Sequence, residues 1–224
     1  MRVKLITPMT VAILADDVLK QELLAGKLPA DITVVWVDSL RALLIAEADV
    51  YMDLLFEMDV ERTQRLKQLL PRPVFINAVS WSTKKIGADF IRINAWPGLL
   101  QRPITEIVLP AGVSEASIQP VFDSLQWKYV LAPDIAGMIT ARVLAAIINE
   151  AYYTLGAQVS TRQEIDIAMK LGTSYPYGPF EWGAKIGLAR IYELLTELSS
   201  VDKRYTPAPL LAQEAEGKGY EQGS

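Results

Sequence analysis

Tyr129-Val-Leu-Ala-Pro-Asp-Ile-Ala-Gly-Met-Ile-Thr-Ala-Arg-Val-Leu-Ala-Ala-Ile-Ile-Asn-Glu-Ala-Tyr-Tyr-Thr-Leu155 is where the chain changes character. Up to Ala132 the apolar residues come in short Val- and Ile-rich runs of strand length. After Pro133 no such run recurs, and Leu144, Ile147, Ile148, Ala151 and Leu155 repeat at helical spacing from about Gly137 onward.

Upstream of this point, strands are expected near Val11–Ala15, Ile32–Asp38, Asp49–Leu55, Val74–Val79, Phe90–Asn94, Glu106–Pro110 and Tyr129–Ala132. Helices fall between them at Asp17–Ala25, after Leu40, at Val60–Leu70 and at Ser114–Leu125. Strand and helix in alternation imply a mostly parallel sheet with helices on its faces. The reading is therefore an α/β domain over residues 1–132, an all-α domain over 133–212 and a flexible tail over 213–224.

In the helical part, Ser160 with Gln163 or Thr161 with Glu164 can form a reciprocal capping box that starts a second helix, and Gly172 closes it. Pro179 suits the first turn of another helix, because its missing amide hydrogen would go unpaired there anyway. Leu188, Ile191, Leu194, Leu195 and Leu198 then form a last amphipathic helix, and after Lys203 only Leu210 and Leu211 offer anchors.

The totals set limits on function. Lys plus Arg number 22 against 26 Asp plus Glu, a net charge of −4 with no long block of either sign, which argues against a nucleic-acid partner. No apolar run reaches the ~20 residues of a membrane span, and Met1–Pro8 has no signal-peptide core. The expectation is a cytoplasmic protein with no membrane partner. There are no cysteines and no histidines. Thiolate chemistry and imidazole catalysis are both excluded, so any proton transfer falls to carboxylates, Lys, Tyr or hydroxyls.

Asp134-Ile-Ala-Gly-Met-Ile-Thr-Ala-Arg142, Asn149-Glu-Ala151, Glu164-Ile-Asp-Ile-Ala-Met-Lys-Leu-Gly172 and Tyr175-Pro-Tyr-Gly-Pro-Phe-Glu181 occur in an order and spacing that resemble the carboxyl-terminal helical domain of 3-hydroxyacyl-CoA dehydrogenases. Ala48-Asp-Val-Tyr-Met-Asp-Leu-Leu-Phe-Glu57, Val74-Phe-Ile-Asn-Ala-Val-Ser80 and Phe90-Ile-Arg-Ile-Asn94 resemble, more loosely, the later part of that family's nucleotide-binding domain. The resemblance implies a Rossmann-like sheet domain, shortened here, followed by the helical domain. It further implies NAD bound at a glycine-rich turn after the first strand, a histidine paired with a glutamate, an acyl-CoA substrate and a homodimer formed through the helical domain.

Carried over residue by residue, the chemical positions have changed. Val11-Ala-Ile-Leu-Ala15 is followed by Asp16 and Asp17 with no glycine, which reads as a capped helix in place of a diphosphate site and disfavours NAD. Asp38 lies where a dinucleotide fold places its ribose-binding acid, and Glu57 matches a glutamate at the cleft after the third strand; both are candidate cofactor contacts. Ile91-Arg-Ile-Asn94 aligns with the family's histidine, two aromatics and asparagine, so Ile91 takes the base position. Glu106 is the retained glutamate after a short insertion around Gly98–Gln101, Ser80 matches a substrate-hydroxyl serine, and Ala141 replaces an active-site asparagine. Glu106, Ser80 and Asn94 are the candidate catalytic residues.

Arg92, Asn94, Trp96, Lys84 and Lys85 are candidates to line a cleft for an acidic or CoA-like group; the simpler and favoured reading is that Trp96 and Trp81 pack between the two domains. Asp16, Asp17, Asp49, Asp53, Glu57 and Asp59 are carboxylates assigned to the ends of strands, read as caps, and no metal site is expected. Arg142 and Glu150 are taken as paired charges in an apolar setting, Gly137 as a tight turn into a buried helix and Gly178-Pro179 as a rigid corner. The functional expectation is a divergent family member without the ordinary NAD-dependent activity, kept as a ligand-binding or subunit protein. The alternative is an oxidoreductase that uses Glu106 or Ser80 in place of histidine.

Overall fold

The computed structural model describes residues 8–26 and 28–217. Expectations placed on 1–7 and 218–224 lie outside the described residues. The chain divides into two compact units, with the break between Ile135 and Ala136.

In the first unit the elements run β1 Thr10–Leu14, α1 Asp17–Leu24, β2 Thr33–Val37, α2 Leu40–Ile45, β3 Val50–Asp53, α3 Val60–Leu66 with a 3-10 turn Lys67–Leu69, β4 Val74–Ile76, α4 Thr83–Ile86, β5 Ile91–Ile93, β6 Ile104–Val108, α5 Glu115–Leu125 and β7 Lys128–Leu131. The seven strands form one sheet in the order β2-β1-β3-β4-β5-β6-β7. The first five are parallel, β6 runs antiparallel to β5, and β7 is parallel to β6. All seven strands lie where β-type runs were expected; β1 and β4 are buried and apolar along almost their whole length, while β2 and β7 at the sheet edges are only partly covered. After β2 the chain returns past β1 to place β3, so the strand order reverses between β1 and β3. The crevice at the carboxyl ends of strands on either side of such a reversal is where open α/β sheets bind ligands.

Two layers of side chains cover the sheet. On one face Leu19 and Leu23 of α1 and Ile118, Phe122 and Leu125 of α5 pack on Val11, Ile13, Met52, Phe75 and Ile91. On the other, Leu43, Leu66 and Ile86 pack on Ala12, Leu14, Tyr51 and Ile76. The short helix α4 has no helical apolar period. It exists because Ser82 caps it and Gly87, at φ 70°, ends it.

The second unit contains α6 Thr140–Gly156, α7 Arg162–Thr173, α8 Pro179–Ile186, α9 Leu188–Ser199, a 3-10 turn Lys203–Tyr205 and α10 Pro209–Ala215. Two expectations are corrected here. The amphipathic helix α9 is not the last one, and residues 213–215 of the supposed tail are helical. Leu211 is fully buried, and Ile191, Leu194, Leu195 and Leu198 of α9 are covered within the unit instead of forming an open face. Two anchors sufficed for α10 because packing, not propensity, stabilises a helix this short.

Of the two possible boxes at α7, the one formed is Thr161 with Glu164: Thr161 Oγ1 accepts from the Glu164 amide and the Glu164 carboxylate accepts from the Thr161 amide. Gly137 has φ 80°, and a Cβ there would lie 3.0 Å from Arg142 Cβ and 3.2 Å from Leu194 Cδ1, so the turn into α6 requires glycine. Arg142 does not pair with Glu150. Its guanidinium donates to the Ala136 carbonyl and lies over the Tyr205 ring, while Glu150 is exposed.

Candidate functional site

Four chain segments meet the carboxyl edge of the parallel strands. After β1, Asp16 is the cap of α1, its carboxylate accepting the Leu19 amide at 2.9 Å, and Asp17 occupies the first helical turn. After β3, Asp53 is fully buried and accepts a fork from Arg62, with Nε and Nη2 at 2.8 and 2.7 Å. Burial pushes the Asp53 carboxyl up from its usual range against the opposing pull of Arg62. After β4, Asn77 bridges its neighbours: its Nδ2 donates to the carbonyls of Leu54 and Ala95, and its Oδ1 accepts the Ala95 amide. Three strand ends are thereby tied by one side chain, which satisfies backbone groups that the ladder leaves unpaired.

After β5 comes the pair of greatest chemical interest. The antiparallel register sets Arg92 opposite Val108 and Ile93 opposite Ile107. The next residue, Asn94, donates its amide hydrogen to the Glu106 carbonyl at 3.0 Å. Its side-chain Nδ2 then donates to Glu106 Oε2 at 3.2 Å, and both residues are buried. Ile91 is elsewhere: it is packed in the core with Phe75 and Phe122 and is no partner of Glu106. The register of strand pairing, invisible in the sequence, turns Asn94 toward the glutamate and Ile91 into the core.

Ser80 is buried in the loop after β4, and Ala141 is buried in α6. Asp38 and Glu57 are both exposed.

Arg92 is not a cleft cation. It is fully buried, donating through Nε to the Ala78 carbonyl at 3.0 Å, through Nη1 to Asp134 at 2.6 Å and through Nη2 to the carbonyls of Val79 and Ile135. Asp134 also accepts the Thr83 amide at 2.8 Å. Burial draws the Arg92 pKa down while Asp134 opposes that shift. The arginine therefore joins the loop that carries Ser80 to the segment that leaves β7. Trp96 is buried, whereas Lys84 and Lys85 are exposed and Lys85 lies over the Trp81 ring at 4.4 Å. These residues do not assemble a basic cleft, and the burial of Trp96 agrees with the packing reading.

The remaining carboxylates have local partners. Asp59 caps α3, and Asp49, which precedes β3 and so lies at the amino end of the strands, accepts the Thr10 amide at 2.8 Å. Among the described residues no group of three His, Cys, Asp or Glu side chains is arranged to hold a metal ion, and no helix is long and apolar enough to cross a membrane.

Residues 137–224 match the family described as 3-hydroxyacyl-CoA dehydrogenase, C-terminal domain. The second unit is thus similar to the carboxyl-terminal domain of 3-hydroxyacyl-CoA dehydrogenases. The chain is 40% identical over 131 residues to the 3-hydroxyadipyl-CoA dehydrogenase of Escherichia coli, covering 52% of this chain and 28% of that protein. It is 32% identical over 147 residues to a 3-hydroxybutyryl-CoA dehydrogenase of Clostridioides difficile, covering 62% of this chain and 50% of the relative. In both cases the match spans half or less of the relative's length. The solved structure of a (S)-3-hydroxybutyryl-CoA dehydrogenase from Ralstonia eutropha superposes with a TM-score of 0.70 at 20% identity over 94% of each chain, a likeness of fold.

The family's helical signature is accounted for in residues. Gly178 cannot carry a side chain, since a Cβ would stand 2.3 Å from Asp166 Oδ1 and 2.5 Å from its Cα. Asp166 of α7 instead accepts the Phe180 amide at 2.8 Å and the Glu181 amide at 3.3 Å, capping α8 from outside. Glu181 accepts the Gly178 amide, and Lys170 bonds to the same carboxylate at 2.5 Å and, with the Gly178 amide, holds it below the usual range. The corner at Gly178-Pro179 is the cap of one helix supplied by another.

Proposed function

We propose that this chain is a divergent 3-hydroxyacyl-CoA dehydrogenase relative that does not perform NAD-dependent hydride transfer and serves to bind an acyl-CoA-like ligand or to act as a subunit. The observation that carries this reading is the partner of Glu106. In the resembled family the glutamate's partner is a histidine that moves the proton, and here it is Asn94, an amide that neither takes nor gives a proton at neutral pH.

The first turn supports the same reading. A diphosphate needs free backbone amides at a helix amino terminus, approached through glycine. Between Val11 and Ala25 there is no glycine, the Leu19 amide is taken by Asp16, and Asp17 adds a second negative charge, so these residues do not fit the cofactor's diphosphate. With exposed Asp38 and Glu57 as the remaining candidate contacts, little is left to bind NAD.

The test is direct. Purified protein titrated with NADH is expected to give no saturable change in nicotinamide or tryptophan fluorescence, and 3-hydroxybutyryl-CoA with NAD is expected to yield no NADH. Tight NADH binding sinks the reading, as does turnover that Glu106→Ala abolishes, which would favour an oxidoreductase working through Glu106 or Ser80.

A further inference from the structure

β2 ends the sheet and pairs on one side alone, with β1. The Thr33 amide donates to the Met9 carbonyl at 2.9 Å, so Thr33 turns its main-chain groups toward β1. Successive residues of a strand turn them to opposite sides; Val35 and Val37 therefore face β1 as well, while the amides and carbonyls of Val34 and Trp36 face away from the sheet. Among the described residues no strand lies beyond them. In the common doubly wound order two further strands stand on this side of the first one, and here only β2 does, so this half of the sheet is one strand short.

Open edges are usually guarded by Lys, Pro, a bulge or a covering element. Thr33-Val-Val-Trp-Val37 has no charge, no Pro and no Gly, and it pairs with β1 residue for residue without a bulge. Val34 and Trp36 pack on one core layer and Val35 and Val37 on the other, yet all four are only partly buried and Thr33 is exposed. Lys20 of α1 is drawn over the Trp36 ring, 5.1 Å from its centre.

Charge selects the occupant. Asp31 and Asp38 bracket the strand, both are exposed, and neither forms an ion pair among the described residues. A second copy added about a two-fold axis at Val35 would match the outward groups of Val34 to those of Trp36 in the copy. That register also brings Asp31 next to Asp38 of the copy at both ends, and like charges so close disfavour it. A strand with a cation at each end meets both acids instead. We infer that the free edge of β2 accepts an extended segment of a partner protein as an added strand, bonded through its main chain to Val34 and Trp36 and carrying a basic residue at each end for Asp31 and Asp38. The inference gives the subunit role a surface and rests on that arm of the proposed function; NADH tests the lost hydride chemistry and a peptide tests strand addition, so either can fail alone.

The probe is acetyl-Lys-Val-Thr-Val-Thr-Val-Lys-amide, titrated calorimetrically into the full chain at pH 7. Saturable binding is expected, at least ~10-fold tighter than that of the same peptide with Glu at both ends. N-methylation of the central Val and the Thr after it blocks both edges of the peptide and is expected to abolish binding. Amide exchange followed by NMR gives the location: Val34 and Trp36 are expected to slow by ~10-fold or more when peptide is added, and Val35, already turned to β1, to change little. Val34→Pro removes an outward donor and leaves the β1 ladder whole, so it is expected to weaken the peptide by ~10-fold or more. No saturation at millimolar peptide, equal affinity for the Lys and Glu peptides, or unchanged exchange at Val34 and Trp36 overturns the proposal. Protection of those two amides without peptide overturns it too, since a second copy or another part of this chain then fills the edge. The exchange measurement on the native protein decides the matter if Val34→Pro fails to fold.

Discussion

Asn94 and Glu106 face one another across two strands, and a chain with no histidine makes that pairing unusually easy to test. The single imidazole introduced by Asn94→His has an NMR titration free of overlap. If Glu106 lies beside it, adding Glu106→Gln removes a neighbouring negative charge and lowers the imidazole pKa, by ~1 unit or more. Ile91→His is expected to behave differently, since it buries a polar ring in the apolar core around Phe75 and lowers the thermal midpoint strongly. A titration at position 94 that ignores Glu106→Gln would remove the basis of the proposed function.

Gly178 gives a second prediction at this scale. The Cβ of Gly178→Ala would collide with both the carboxylate and the backbone of Asp166. Neither can retreat without uncapping α8, so a loss of about 2 kcal/mol or more is expected in denaturant unfolding. Arg92 shows why single residues mislead: charge and position suggested a cleft cation, but four acceptors claim its buried guanidinium. Nothing local in Phe90-Ile-Arg-Ile-Asn94 reveals that Asp134 will arrive beside it.

Between elements, α10 explains how α9 can bury its whole apolar stripe. Leu211 is fully enclosed, so Leu211→Ala is expected to cost about 3 kcal/mol, and a calorimetric loss below ~1 kcal/mol would mean that α10 does not seal this face. A polar lock reinforces the same helix. The Tyr152 hydroxyl of α6 donates to Glu214 of α10 at 2.9 Å, and Arg162 of α7 bonds to Glu214 and lies over the Tyr152 and Phe180 rings.

Burial, reinforced by Glu214, pushes the Tyr152 hydroxyl up from 10.0 to about 12. A raised folded-state value means that the native state holds this proton more tightly than the unfolded chain. The associated stability is therefore complete below pH 10 and disappears as pH rises from 10 through about 12. Urea unfolding at pH 9 and pH 11.5 is expected to show a smaller alkaline loss in Tyr152→Phe than in the native protein; equal losses would refute it. The seven strands were legible at this scale because each carries a short run rich in β-branched or aromatic residues bounded by turn residues. The helices α4 and α10 were not, since four and seven residues are too few to show a period and their stability comes from contacts.

For the molecule as a whole, association is the open physical question. The apolar stripe of α9 is covered, which removes it from consideration as an interface, but Ile139 and Val143 beside and on α6 and Ile167 and Leu171 on α7 are exposed. Large apolar side chains grouped on one unit commonly mark association surfaces, and a homodimer through the second unit is the expected state. Light scattering at micromolar concentration is expected to give twice the 24.8 kDa chain mass. A monomer there, or a dimer unaffected by Val143→Asp together with Leu171→Asp, would count against that surface.

By itself the sequence determined the alternation of strands and helices, the change to helix after Pro133, the boxes and glycines that shape the second unit, and the absence of imidazole. These are carried by local periodicity, capping and backbone freedom, which a few neighbouring residues suffice to express. The tertiary structure alone decided that Glu106 meets Asn94 and not Ile91, that Arg92 is enclosed and that Asp166 caps a helix on a different element. Each of those depends on strand register or on contacts between residues distant in the chain, and hydrogen-bond partners at such separations are chosen by packing.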